Sequence, residues 1–182
     1  ARLVALEDGG VRREIMPLSS QHDFIGEERK LLAREKDPKR RALANLKIAA
    51  CRYEQGKNEE AIAQVSVVLG RYSDLDDEAN LLLGKALSAV GRPADALAAW
   101  AKVKGASDLG AEAAFRVGKH YEEGSDFSKA RVYYDTARIR RVDSDYGVRA
   151  VKRLSLLDAL AARTTGKKAG GDSLQPAEAM FL

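Results

Sequence analysis

Residues 77–103, DEANLLLGKALSAVGRPADALAAWAKV, contain the pattern that decides the fold. Apolar residues recur at helical spacing on both sides of a short central turn. In that turn Gly91 can adopt the positive φ that ends a helix, and Pro93 suits the first turn of the next helix. The stretch therefore predicts two helices joined by a sharp turn, the first containing Gly84 and the second containing Trp100.

The same pattern returns along the chain at intervals of 34 or 35 residues. Three repeats align in this way, at residues 42–76, 77–110 and 111–144. Each has a small residue in both of its predicted helices and a larger residue one helical turn after the second small one. The equivalent positions are Ala49, Gly84 and Gly118; Ala61, Ala96 and Ala130; and Val65, Trp100 and Tyr134.

This repeat resembles the tetratricopeptide repeat (TPR), whose signature is W-x2-L-G-x2-Y…A-x3-F. The resemblance covers residues 42–144 and departs from the signature at Asn80 and Leu87, which stand at its first and Tyr positions. It implies an all-α fold, a right-handed TPR superhelix of about three full repeats with partial repeats on either side. Small residues then lie where the two helices of a repeat cross, and large ones fill the gap against the neighbouring repeat. The matching positions in the second repeat are Asn80, Leu83, Gly84, Leu87, Ala96 and Trp100.

The chain before the array predicts two different segments. Residues 1–20 are expected to be irregular or to form a β-hairpin, because short alternating stretches flank the turn sequence Glu7-Asp8-Gly9-Gly10. Residues 21–38 predict one helix that ends before Pro38, in the place of the second helix of a preceding repeat. We therefore expect half a repeat ahead of the array, and we expect residues 39–163 to contain the array with a capping helix.

The chain after the third repeat predicts a helix, a loop and the start of another repeat. Leucine and valine at helical spacing predict the helix over residues 145–163. The Gly, Ser and Lys content of residues 164–176 is typical of a flexible loop. Residues 177–182 then repeat the Ala-Glu-Ala-x-Phe pattern that begins at Ala111. An array that stops there leaves an apolar end open, which favours self-association through the terminal repeats.

Composition and motifs argue against an enzyme. No nucleotide-binding or nucleophile-elbow motif occurs, and neither His22 nor His120 has a second ligand at metal spacing. Cys51 is the single cysteine and is predicted to be a buried, inert thiol. The repeat position of Trp100 favours a core residue over a ligand platform. We therefore expect no catalytic residue, no metal and no cofactor. No apolar run reaches the length of a transmembrane segment.

The sequence instead predicts a scaffold that binds a protein or peptide. In TPR proteins the first helix of each repeat lines a concave groove, so the resemblance implies a partner-binding set on these helices. Lys85 and Lys119 are equivalent, and Leu46, Leu81 and Phe115 are expected to form an apolar strip. The alternative is that some of the set only pack against an adjoining helix. The predicted groove residues are Leu43, Leu46, Ala50, Tyr53, Glu78, Leu81, Lys85, Ser88, Glu112, Phe115, Lys119 and Glu122.

Other partners are weighed against this scaffold. The basic runs 34–41 (REKDPKRR) and 138–141 leave open a nucleic-acid-associated regulatory protein, although the net charge of only +4 and the lack of interleaved aromatic residues favour solvated helix ends. One TPR subclass clamps C-terminal carboxylates, but only Arg116 keeps the charge that this requires, while Leu46, Ala50 and Glu112 replace it. The alanine-rich repeats resemble bacterial TPR proteins of the cell envelope.

Overall fold

The computed structural model describes residues 3–5, 11–13, 26, 30 and 32–171. From residue 32 onward the described chain is all-α, and it divides into an N-terminal unit, Ala1–Val103, and a C-terminal unit, Lys104–Leu182. The strands are β1 (Leu3–Ala5) and β2 (Val11–Arg13). The helices are α1 (Pro38–Glu54), α2 (Asn58–Ser66), α3 (Ser73–Ala89), α4 (Pro93–Trp100), α5 (Asp108–Glu123), α6 (Phe127–Arg140) and α7 (Asp145–Gly171).

The two short strands near the N-terminus pair antiparallel, with Leu3 opposite Arg13 and Ala5 opposite Val11. Half of the residues of the half-repeat helix predicted over residues 21–38 lie outside the described residues. Its described end is helical at residues 32–34, and the chain leaves the helix before Pro38.

Helix α1 begins at Pro38, four residues before the start of the first aligned repeat at residue 42. The carboxylate of Asp37 caps it by accepting hydrogen bonds from the backbone N–H groups of Lys39, at 2.8 Å, and Arg40, at 3.3 Å. Pro38 follows at the first helical position, where its missing N–H costs nothing. An Asp-Pro pair is therefore the start signal of α1, and the first repeat begins at Pro38 instead of residue 42.

Helix pairs recur through the described chain. The first helix of each pair starts at Pro38, Ser73 and Asp108, 35 residues apart, and α7 starts 37 residues later at Asp145. In the N-terminal unit α1 packs on α2, α3 on α4, and α3 also on α2. In the C-terminal unit α6 packs on both α5 and α7. Each element thus contacts mainly its neighbours in sequence, as in a repeat array.

The crossing of α3 and α4 depends on the absence of a side chain at Gly84. A Cβ built there would lie 2.5 Å from Cδ1 of Trp100, well inside van der Waals contact. The indole is only 6% exposed, and its Nε1–H donates a hydrogen bond to the carbonyl oxygen of Leu81 at 3.3 Å. Glycine therefore lets the largest side chain of the pair lie directly on the opposing backbone.

The crossing of α5 and α6 has the same form. A Cβ at Gly118 would lie 2.8 Å from Cδ1 of Tyr134, whose side chain is fully buried. The Tyr134 ring also packs on Phe115, with ring centroids 5.2 Å apart. The predicted equivalence of Gly84 with Gly118, and of Trp100 with Tyr134, is thus a shared packing arrangement.

The turns between paired helices place one residue at positive φ. Gly56 and Gly91 do so at φ of 74° and 76°, but in the third repeat the position belongs to Ser125, at 61°. Helix α6 is capped by Asp126, whose carboxylate accepts a hydrogen bond from Lys129 N at 3.0 Å.

Helix α7 is longer than predicted and includes the first part of the predicted loop at residues 164–176. It was expected to end at residue 163 but continues to Gly171. Isolated glycines cost only about 1 kcal/mol each, and extending an existing helix needs no new nucleation. No proline interrupts the segment before Pro176. The rest of the predicted loop and the further repeat at 177–182 lie outside the described residues. None of the described helices combines the length and the apolarity that crossing a membrane requires.

Candidate functional site

The predicted groove residues of the N-terminal unit lie on α1 and α3, and two of them meet. The ammonium group of Lys85 lies 5.2 Å from the ring centroid of Tyr53, a cation–π distance. Both side chains are partly buried, as is Ala50, whereas Leu43, Glu78 and Ser88 are exposed. The first helices of the first two repeats therefore present a mixed polar and aromatic face, which we call the α1–α3 face. Its members are Leu43, Ala50, Tyr53, Glu78, Lys85 and Ser88.

Leu46 and Leu81 do not belong to that face. They are only 1% and 4% exposed, so they present no strip to a partner. Leu46 follows Ala42 by four residues and precedes Ala49 by three, and all three lie in one core cluster. Leu81 lies on a helix that is buried around most of its circumference. For these two residues the alternative interpretation, packing against an adjoining helix, is the one that the structure shows.

The predicted groove residues of the C-terminal unit divide between surface and interior. Lys119 is exposed and forms an ion pair with Glu123 at 3.4 Å. Glu112, in contrast, is 8% exposed and accepts hydrogen bonds from Nε and Nη2 of Arg116 at 2.9 and 2.7 Å. Arg116 also donates to the hydroxyl of Tyr146 at 3.3 Å. The carboxylate of Glu112 is therefore paired within this unit, and its partner Arg116 connects α5 to α7.

Glu122 is also part of an internal network. Its Oε2 accepts a hydrogen bond from the hydroxyl of Tyr134 at 2.5 Å, and its Oε1 lies 3.6 Å from Nη1 of Arg153. Burial, together with the hydrogen bond to this carboxylate, raises the pKa of the Tyr134 phenol. Phe115 is partly buried against Tyr134 and Tyr146. Of the four residues predicted in this unit, Lys119 is the one that is fully on the surface.

The side chains considered for chemistry have structural surroundings. Cys51 is buried, and Trp100 is a core residue. The imidazole of His120 packs edge-on against Tyr121, with centroids 5.7 Å apart, while His22 lies outside the described residues. Among the residues that the structure describes, no three His, Cys, Asp or Glu side chains come together in a way that could hold a metal ion.

The basic run 138–141 is occupied by contacts within the C-terminal unit. Arg138 binds Asp135 at 2.7 Å, and Nη1 of Arg140 donates to the carbonyl oxygen of Gly110 at 2.9 Å. Arg141 forms ion pairs with Asp143 at 2.8 Å and, more weakly, with Asp108 at 3.8 Å. These contacts hold the end of α6, and carboxylates compensate the charges of Arg138 and Arg141.

The other basic run contributes to a depression that the repeat pattern does not predict. It has a volume of about 290 Å³ and lies between the start of α1 and the chain that leaves α2. Lys36 and Arg41 come from the predicted basic run, whereas Arg71 was missed because it is an isolated cation in a connection. We call this depression the basic cleft. Its lining residues are Lys36, Pro38, Arg41, Ala42, Asn45, Val67, Arg71 and Tyr72.

Comparison with protein-family models, with curated proteins and with solved structures finds no match to this chain. The recurring helix pairs, the side-chain contacts and the distribution of charge are therefore the grounds on which a function is assigned.

Proposed function

We propose that the chain is a non-enzymatic scaffold of the TPR type that binds a protein or peptide partner. One observation carries this proposal: helix pairs begin at a constant spacing of 35 residues, at Pro38, Ser73 and Asp108, and a glycine–aromatic crossing recurs at Gly84–Trp100 and Gly118–Tyr134. Repeat arrays bury their cores between neighbouring elements and leave extended surfaces for partners. This supports a binding role, and the sequence resemblance supports the TPR type.

The partner surface that we propose is formed by the first helices of the repeats. In the N-terminal unit the α1–α3 face offers apolar contact through Leu43 and Tyr53 and positive charge through Lys85. In the C-terminal unit the exposed Lys119 occupies the equivalent position on α5. A peptide with apolar side chains and nearby carboxylates matches the combination on the α1–α3 face. Since Leu46 and Leu81 are buried, we assign the apolar contact to Leu43 and Tyr53 instead.

A capture experiment tests the proposal with matched charge reversals. The double variant Lys85→Glu/Lys119→Glu changes the proposed surface, and Lys102→Glu/Lys152→Glu makes the same change in charge at exposed positions outside it. We expect a protein that is retained by the wild type and by the control variant to be lost from the first variant, because like charges then oppose the partner's carboxylates. Circular dichroism confirms that both variants are folded. The same proteins retained by all three chains, or none retained above an unrelated bait, would contradict the proposal.

Self-association through α7 is the second interaction that we propose. Helix α7 exposes large apolar side chains, among them Leu156 and Leu160, which are about half exposed. Exposed apolar side chains that cluster on one element mark interaction surfaces more often than scattered ones do. Light scattering over a range of concentrations tests this, and we expect Leu156→Glu/Leu160→Glu to reduce the average mass. A wild-type chain that is monomeric at every concentration would rule it out.

The nucleic-acid alternative has less support. Arg138, Arg140 and Arg141 are bound within their own unit, and Lys39 and Arg40 form ion pairs with Asp74 and Glu35 at 2.9 and 3.7 Å. A salt titration with RNA and DNA separates the two functions, because phosphate contacts make affinity fall steeply with salt.

A further inference from the structure

The basic cleft is lined by three basic side chains and by no acidic one. Five of its eight lining residues can donate hydrogen bonds: Lys36, Arg41, Arg71, Asn45 and Tyr72. Pro38, Ala42 and Val67 provide the remaining, apolar wall. Asp and Glu are absent from the lining. In the part of the chain that the structure describes, the cleft therefore combines positive charge, hydrogen-bond donors and apolar contact.

The position of these cations is electrostatically unfavourable in the unliganded chain. Lys39, Arg40 and Arg41 fall in the first turn of α1, which contains no acidic residue and where the helix dipole disfavours positive charge. The first two are compensated by their ion pairs with Asp74 and Glu35. Arg41 has no ion pair with another described residue, and the same holds for Lys36 and Arg71 at the cleft. An anion in the cleft would supply these three cations with an ion-pair partner.

The lining also indicates which kind of anion fits. Two guanidinium groups suit planar carboxylates, which can accept paired hydrogen bonds. Oδ1 of Asn45 accepts a hydrogen bond from Nε2 of Gln64 at 2.6 Å, so its amide nitrogen is the part left to donate. The volume of about 290 Å³ lies at the small end of ligand sites, enough for one or two side chains. Val67, which is 45% exposed, offers contact to an apolar neighbour of the acid.

An extended polyanion fits less well. The carboxylates of Asp74 and Glu35 flank the cleft through their ion pairs, and Asp76 accepts a hydrogen bond from Gly70 N at 2.9 Å in the connection that carries Arg71. A nucleic-acid backbone leaving the cleft would pass these groups, whereas one acidic side chain would not. We propose that the basic cleft binds a carboxylate of an acidic peptide segment, with an apolar residue beside it.

This site goes beyond the proposed groove, because the cleft shares no lining residue with the α1–α3 face. Binding to the full chain can be measured by fluorescence anisotropy with a labelled peptide that alternates leucine and glutamate. Its counterpart with glutamine, a version with phosphoserine and a short oligothymidine serve as competing probes. The cleft variant is Arg41→Gln/Arg71→Gln. The control Arg92→Gln/Arg163→Gln removes the same charge at exposed positions outside the cleft.

We expect the glutamate peptide to bind more tightly than the glutamine peptide, and the cleft variant to weaken that binding about tenfold or more. The control should bind as the wild type does. Because the α1–α3 face is also proposed to accept such a peptide, the comparison is repeated in the Lys85→Glu/Lys119→Glu background, where the cleft variant should still weaken binding about tenfold. Equal losses in the cleft and control variants would overturn the proposal, since they would indicate only non-specific attraction. It would also be overturned if phosphoserine were required, or if oligothymidine bound more tightly than the peptide.

Discussion

Replacing Trp100 by alanine removes the side chain that holds α3 and α4 together. In the structure the indole lies against the bare backbone of Gly84, donates its N–H to the carbonyl of Leu81 and is 6% exposed. Truncation therefore leaves a cavity, and Gly84 on its wall has no side chain that could move into the space. Substitutions of this kind cost about 3–5 kcal/mol. We expect a loss in this range, because helix α4 has only eight residues and Trp100 is one of its three buried side chains.

Thermal and urea unfolding followed by circular dichroism measure this effect. For a chain of this size 1 kcal/mol corresponds to about 2–4 °C, so we expect the melting temperature to fall by about 6–20 °C. Hydrogen exchange should show the loss first in the amides of α3 and α4, since repeat elements are stabilised by their neighbours. Val67→Ala, at an exposed position in the same unit, is the control and should change stability by about 0.5 kcal/mol or less. A melting temperature within about 2 °C of the wild type would refute the packing described for Trp100.

Further predictions concern the second crossing and its tyrosine. In chemical denaturation Gly118→Ala should lower the free energy of unfolding by about 1–3 kcal/mol despite the better helix propensity of alanine, because its Cβ would meet the Tyr134 ring. Gly124→Ala should be close to neutral, because no other atom would lie nearer than 3.6 Å to its Cβ. Stability should fall as the pH rises above about 10, because the raised pKa of Tyr134 keeps the folded phenol protonated after the unfolded one has lost its proton. The contribution of Tyr134 to stability is fully present below the pKa of the unfolded phenol. When the free energy of unfolding is measured against pH, Tyr134→Phe should make its decline at alkaline pH less steep. An unchanged decline would contradict the raised pKa of Tyr134.

The features that could be predicted from the sequence are those set by local signals, such as turns and helix starts. Gly91 and Pro93 mark a turn and a helix start through backbone preferences that do not depend on the rest of the chain, and both are found in these roles. The small residue at Gly84 was identified because its aromatic partner recurs at a fixed distance in sequence. These features could be predicted because each is set within one repeat.

The candidate site was harder to predict because it depends on neighbouring elements. Leu46 and Leu81 occupy groove positions by alignment, yet their burial follows from the helices packed around them. The sequence around Glu112 gives no sign that Tyr146, thirty-four residues later, completes the network of its partner Arg116. Arg71 joins the basic cleft only when the chain leaving α2 folds back towards the start of α1. Separations of this kind exceed what periodicity within one helix can indicate.

The helix crossings have a consequence for how copies of this element can diverge. Where the second and third repeats pair glycine with Trp100 or Tyr134, the first pairs Ala49 with Val65, and both of those residues are fully buried in one cluster. A larger residue on one helix thus goes with a smaller one on the other, so the two positions share one volume. If the repeats descend from one ancestral repeat, a substitution at one of these two positions alone would leave the crossing overpacked or would leave a cavity there. The quantity that is preserved between repeats is therefore the combined side-chain volume of the two positions.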